Sequence, residues 1–185
     1  MQGIVLLVID MQNDMFVLNE RGGQVEAIIL TISQLIAWAR SKMIPVIYTR
    51  VAFRPSYLDG LPRAPHIKER HLLCETSNGS DIITELKPRS DDIVVTKRRT
   101  SVFYGTDLDV LLRALRTNTL LFTGFSTARA IESTVRDAHN RDLDCIVVSD
   151  GCWAKTQELH ENALKSMADW FAHVMTAKEV KARFS

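Results

Sequence analysis

Two charged side chains sit where apolar runs end. Asp10 closes Ile4-Val5-Leu6-Leu7-Val8-Ile9, and Lys97 follows Ile93-Val94-Val95-Thr96. A carboxylate at the end of a buried strand is costly unless it is paired or put to use. Its plain structural role would be to cap the next turn through the N–H of Gln12 or Asn13. For Lys97, the adjoining Arg98 and Arg99 offer a solvated basic edge as the plain alternative. A third stretch runs from Thr123 to Ala138, where Leu120-Leu121-Phe122 leads into Gly124 and then into Ser126 and Thr127, either of which can cap a helix. Ala130, Ile131, Thr134, Val135 and Ala138 follow at helical spacing. The first turn of such a helix offers unpaired N–H groups and a partial positive charge, suited to a thiolate or an oxyanion. The residue on that turn is Ala130, which has no chemistry of its own.

The elements that must position these residues alternate. Continuous apolar runs at 4–9, 45–49, 93–96, 120–122 and 145–148, with a short one at 172–175, read as strands covered on both faces. Val25, Ile28, Ile29, Ile32, Leu35, Ile36 and Ala39 trace one face of a helix. Leu108, Leu111, Leu112 and Leu115 mark another, and Leu159, Ala163, Leu164 and Met167 a later one. Strand–helix alternation implies an α/β domain with a parallel sheet, right-handed crossovers and helices on both faces. Asp10, Lys97 and the 124–130 turn then share the carboxyl edge of the sheet, where such folds bind ligands. Residues 51–90 read as irregular, with four prolines and a Ser77-Asn78-Gly79-Ser80 turn. Long loops of this kind carry function or cover a site. Arg50 and Arg54 at the loop entrance suit an anionic substrate group or plain solvation, and Phe16, Phe53 and Trp153 suit an apolar pocket wall or the core.

Composition narrows the classes. At 185 residues the chain fits a single domain, 1–185, with a sizeable core, and its net charge of +1 argues against nucleic acid. No apolar run approaches the length of a membrane span. Cys74, Cys145 and Cys152 are odd in number and have no metal-ligand spacing. Met1-Gln2-Gly3 leads straight into a strand-like run, so the expectation is a reduced, cytoplasmic protein without a secretory signal. Asp10-Met11-Gln12-Asn13 replaces the glycines that a dinucleotide site needs, and it lacks the second acid of a haloacid-dehalogenase site. The second strand ends in Thr49-Arg50, which does not suit a phosphoacceptor receiver domain. His66 and His71 near Cys74 read as loop histidines rather than zinc ligands.

Val8-Ile9-Asp10-Met11-Gln12-Asn13-Asp14, Lys97 through Leu108 and Thr123-Gly124 through Ala138 occur in an order that resembles the isochorismatase-like cysteine hydrolases. The resemblance runs nearly end to end. It implies a three-layer α/β/α sandwich with a six-stranded parallel sheet ordered 3-2-1-4-5-6, and a cis peptide at Phe125–Ser126. It implies Asp10 as general base and proton shuttle. Lys97 would hold Asp10 ionised, and a cysteine at position 130 would attack an amide-like carbonyl. N–H groups of residue 130 and of the Phe125–Ser126 turn would hold the oxyanion. Arg129 joins the expected substrate pocket, and with Arg50 and Arg54 it would suit a substrate that bears a carboxylate. The resemblance also implies a homo-oligomer acting on a small molecule, without an organic cofactor. Metal-binding members carry acids and histidines after the second strand. Tyr48-Thr49-Arg50-Val51-Ala52-Phe53-Arg54 has none, so no metal is expected.

The chain departs from that pattern at the nucleophile, because Ala130 stands at the cysteine position and no other cysteine falls on a motif position. Three explanations fit. One is a Cys→Ala replacement in an amidohydrolase of small amide, carbamoyl or ureido compounds. Another is a cysteine-independent vinyl ether hydrolase of isochorismatase type, and the third is a non-catalytic binding protein. We favour the first, because Asp10 and Lys97 are intact.

Overall fold

In the computed structural model, which describes residues 3–18 and 23–185, the apolar runs pair into one sheet. Its strands are β1 (Ile4–Ile9), β2 (Val46–Val51), β3 (Ile93–Lys97), β4 (Thr119–Phe125), β5 (Asp144–Trp153) and β6 (His173–Met175). All pairings are parallel, in the order β3-β2-β1-β4-β5-β6. The helices are α1 (Asn13–Leu18), α2 (Gly23–Ser41), α3 (Pro65–Glu69), α4 (Leu108–Ala114), α5 (Glu132–His139), α6 (Gln157–Trp170) and α7 (Ala177–Arg183).

Side chains of β1 alternate between two cores, as strand geometry requires. Ile4, Leu6 and Val8 pack with Ile28, Ile32 and Leu35 of α2 and Val180 of α7. Val5, Leu7 and Ile9 pack with Leu108 and Leu112 of α4, Val135 of α5 and Met167 of α6. Helices therefore cover both faces, and β1 is buried along its whole length. That is why its sequence is continuously apolar instead of alternating.

The strands extend past their apolar runs at the carboxyl edge. β2 reaches Val51, β4 reaches Phe125 and β5 reaches Trp153. Val51 and Phe125, at two of these ends, line the candidate site. The 51–90 stretch is less irregular than its prolines suggest, since it holds α3 and single 3-10 turns at Asn78–Ser80 and Thr84–Leu86. α7 begins with a reciprocal Thr176–Glu179 capping box. Among the described residues no helix is long and apolar enough to cross a membrane.

Candidate active site

β1 and β3 are separated by β2, yet the residues at their ends meet. Lys97 Nζ lies 2.6 Å from Asp10 Oδ2, with the two side chains 1% and 3% exposed. β2 bridges the gap through Thr49, whose hydroxyl donates to Asp10 Oδ1 at 2.7 Å. The Thr49 carbonyl and hydroxyl oxygens also accept from the Asp10 N–H at 3.2 Å each. Lys97 Nζ donates further to the carbonyls of Arg99 and Thr100, both at 3.1 Å. The ammonium thus has three oxygen partners and the carboxylate has two donors. A buried ion pair is tolerated only when its remaining hydrogen-bonding capacity is met in this way. Asp10 adopts a left-handed backbone (φ 53°), a conformation aspartate tolerates better than most side chains.

The turn after β4 supplies the second half of the site. Gly124 has φ +114°, and a Cβ there would lie 2.1 Å from the Ile9 carbonyl oxygen, so glycine alone lets β4 pass this close to β1. The Phe125–Ser126 peptide is cis. A π-helical turn, Thr127–Ile131, then leads into α5, with the Ser126 carbonyl accepting from the N–H groups of Arg129 and Ile131. Ser126 occupies the cap position without a side-chain cap bond. The expected Thr127 cap is also absent, because its hydroxyl meets His160 Nδ1 at 2.9 Å instead. Ala130 is 5% exposed. Its carbonyl accepts from the Thr134 hydroxyl at 2.6 Å, and that hydroxyl also accepts from the Val102 N–H. The turn is thereby tied to the loop that follows Lys97.

Asp10, Lys97, Phe125, Ser126, Arg129 and Ala130 line one cavity of about 300 Å³. The other expected pocket residues lie elsewhere, and strand periodicity accounts for the first of them. Within β2, Thr49 and Val51 share a face that serves the site. Arg50 projects the other way, to Thr96 Oγ1 at 3.1 Å and Asp81 at 3.4 Å. Phe53 is fully buried against Tyr57, and its backbone pairs with Leu73 and Glu75. Arg54 turns outward to Asp59 at 2.7 Å. Phe16 packs partly buried on the apolar core. Trp153 stands behind the lining, stacked on Phe125 with ring centroids 4.9 Å apart.

Conversely, the cavity recruits residues that the sequence marked as solvated or not at all: His66, Arg98, Arg99, Thr100 and Lys155. Arg98 reaches Asp59 at 2.6 Å and Glu75 at 2.9 Å. Burial works against charge on Asp59, but the Arg54 N–H and the Arg98 guanidinium outweigh it and hold that carboxyl below its usual range. Thr49 was detectable by the logic that singled out Asp10, since it is a polar residue near the end of a buried strand.

None of the cysteines can stand in for a nucleophile at 130. Burial pushes the Cys145 thiol up to about 12, and it raises Cys152 as well. Cys152 packs beneath the sheet edge, 3.6 Å from the Phe122 carbonyl oxygen. Cys74 is buried beside Thr76. His71 lies against the Tyr57 ring, apart from His66, and among the described residues no group of three metal-ligating side chains occurs.

A model of the isochorismatase domain matches residues 5–179. The chain belongs to the isochorismatase family. This isochorismatase-family chain is 33% identical over 205 residues to ureidoacrylate amidohydrolase RutB of Methylorubrum extorquens, covering 98% of this chain and 82% of that relative. Among solved structures, an isochorismatase family protein from Desulfovibrio vulgaris superposes with a TM-score of 0.90 at 30% identity, over 100% of this chain and 99% of that one. N-carbamoylsarcosine amidase from Thermoplasma acidophilum superposes with a TM-score of 0.80 at 25% identity, over 95% and 97%.

Proposed function

We propose that this chain carries the site of a hydrolase that cleaves a C–N bond in a small amide, carbamoyl or ureido compound, with the nucleophile position occupied by Ala130. The observation that carries the reading is the buried Asp10–Lys97 pair opening onto the same cavity as the helix turn at 130. Its similarity to a ureidoacrylate amidohydrolase and to an N-carbamoylsarcosine amidase supports the same bond class.

With a thiol at 130, the chemistry balances without a cofactor. The thiolate sulfur attacks the carbonyl carbon, and the oxyanion is met by N–H groups of residue 130 and of the Phe125–Ser126 turn. Asp10 takes the thiol proton and delivers it to the leaving nitrogen, which departs as ammonia or an amine. A water that gives its proton to Asp10 then cleaves the thioester, releasing the acid and restoring the thiol. Lys97 keeps Asp10 ionised between these transfers. Ala130 offers no electron pair, so the covalent route is closed. In a serine protease, loss of the nucleophile costs on the order of a millionfold.

The test is Ala130→Cys against a panel of ureido, carbamoyl and simple amides, with ammonia release as the readout. Hydrolysis by the cysteine form, lost on adding Asp10→Asn, supports the reading. A folded cysteine form inert across the panel refutes it. Ala130 beside an intact Asp10 also favours a second reading, a cysteine-independent vinyl ether hydrolase. That reading requires isochorismate turnover by the unaltered chain and its loss in Asp10→Ala. We further propose that the protein works in the cytoplasm as a homo-oligomer, which light scattering of the purified chain would check.

A further inference from the structure

The cavity at Ala130 carries an imbalance of charge. Among the described residues Asp10 is the one acid in its lining, and Lys97 at 2.6 Å already neutralises it. Arg98 is matched by Asp59 and Glu75. Three further cations line the same space: Arg99, Arg129 and Lys155. Among the described residues, none of these three has a carboxylate partner. The whole chain has a net charge of only +1, so this is local concentration and not the overflow of a basic protein.

Position and order sharpen the point. Arg129 immediately precedes position 130 on the π-helical turn, which puts a guanidinium next to the reacting centre. Lys155 follows the end of β5 at Trp153, from the other side of β4. Arg99 is held in place by donating from Nη1 to the carbonyls of Asp59 and Arg98 at 2.8 and 2.7 Å. Much of the remaining lining is apolar, including Leu18, Leu61, Ile67 and Phe125. Arg99 is half-buried, and Arg129 and Lys155 are solvent-exposed, so a neutral amide would leave all three without a carboxylate partner.

We propose that the cavity selects a ureido or amide compound that also bears a carboxylate, and that Arg129 and Lys155, assisted by Arg99, hold that carboxylate while the scissile carbonyl lies at position 130. This rests on the hydrolase reading above and adds to it the charge of the substrate and the residues that recognise it. Arginine meets a carboxylate through a planar fork and lysine through a point charge, so the two together fix both orientation and sign. Of the three arginines that the sequence offered for a carboxylate, Arg50 and Arg54 are engaged with Asp81 and Asp59 outside the cavity, whereas Arg129 lines it.

Because Ala130 blocks turnover, binding to the unaltered chain is directly measurable. Isothermal titration at low salt with 3-ureidopropionate and its neutral analogue 3-ureidopropionamide separates charge from shape. The acid should bind about tenfold tighter or more, the worth of one hydrogen bond to a charged group. That advantage should shrink as sodium chloride is added. Arg129→Gln combined with Lys155→Gln, checked for folding by circular dichroism, should erase it. Arg50→Gln combined with Arg54→Gln should leave it intact. Equal affinities, no millimolar binding of either compound, or a preference that survives in the Arg129/Lys155 variant would overturn the proposal. The two readings fail separately. An inert Ala130→Cys protein whose parent still prefers the acid sinks the hydrolase alone. A cysteine form that hydrolyses acid and neutral amide equally well sinks the carboxylate recognition alone.

Discussion

Replacing Ala130 with cysteine places a thiol on the first turn of a helix, and its surroundings set how acidic that thiol becomes. A free thiol has a pKa near 8.5, about 3% ionised at pH 7. A helix N-terminus in partly buried geometry stabilises an anion by up to about 2 kcal/mol, or about 1.5 pK units. The thiol would then titrate near pH 7. The Asp10–Lys97 pair contributes less than a free ammonium would, because its charges cancel at 2.6 Å. Burial of position 130, only 5% exposed, acts in the opposite direction. At pH 6 the lowered pKa raises the thiolate fraction about 30-fold. The weaker nucleophilicity of a more acidic thiol returns about a factor of five. Iodoacetamide should therefore label Ala130→Cys about sixfold faster than the cysteine of an unstructured, end-blocked peptide at pH 6, and the rate should reach half its plateau near pH 7. Mass spectrometry over a pH series measures both. Adding Lys97→Met should move the midpoint upward. A midpoint at or above that of the free thiol would refute the reasoning, since desolvation would then outweigh the helix end and the turn would not be tuned for an anion.

Three further outcomes follow from the same contacts. Lys97→Met leaves Asp10 buried without its counter-ion and should cost about 3–5 kcal/mol in urea unfolding, whereas Thr49→Val, which removes one hydroxyl from the Asp10 carboxylate, should cost about 1–3 kcal/mol. Gly124→Ala should lower stability by about 3 kcal/mol or more, because it combines a strained φ with a Cβ driven into the Ile9 carbonyl; a urea midpoint unchanged from the parent would contradict this. His160 is pushed below its ordinary value by burial, against the pull of Glu161. Below about pH 6.5 the unfolded chain therefore binds a proton that the folded chain resists, and stability falls with pH in that window. His160→Asn should flatten that slope in thermal melts at a series of pH values.

The sheet was legible because β1, buried on both faces, could only be written as an unbroken apolar run, and because strand–helix alternation leaves few topologies. Asp10 and Lys97 stood out as charges at the ends of such runs. Thr49 carries the same signal in weaker form, as a neutral side chain one strand away. Arg50, Phe53 and Arg54 were misplaced for a reason of periodicity. β2 continues to Val51, so neighbouring residues fall on opposite faces, and the loop beyond folds Phe53 into the core. Lys155 gave no sign, because a lysine after a strand reads as solvated until a cavity is seen beside it. α1 and α3, at six and five residues, are too short for a period to emerge. α7 went unread, although Thr176 and Glu179 have the spacing of a capping box.

The long loop between β2 and β3 is pinned at several points. Gln12 bonds Val51 through both ends of its amide and reaches the Ser80 carbonyl. Asp14 accepts from the Leu73 N–H and lies against Gly79, where a Cβ would run into its carboxylate. Asp59 clasps Arg98 and Arg54. These fasteners are grounded in segments that flank the strands. The stretch between Asp59 and Leu73 supplies Leu61, Ala64, His66 and Ile67 to the cavity. Residues there can be exchanged while the fasteners and the Asp10–Lys97 pair stay as they are. The fold thus separates the buried Asp10–Lys97 pair from a loop segment that lines the same cavity. A library confined to residues 60–68 that leaves Ile67, buried in the core, unchanged should alter ligand preference with little loss of stability.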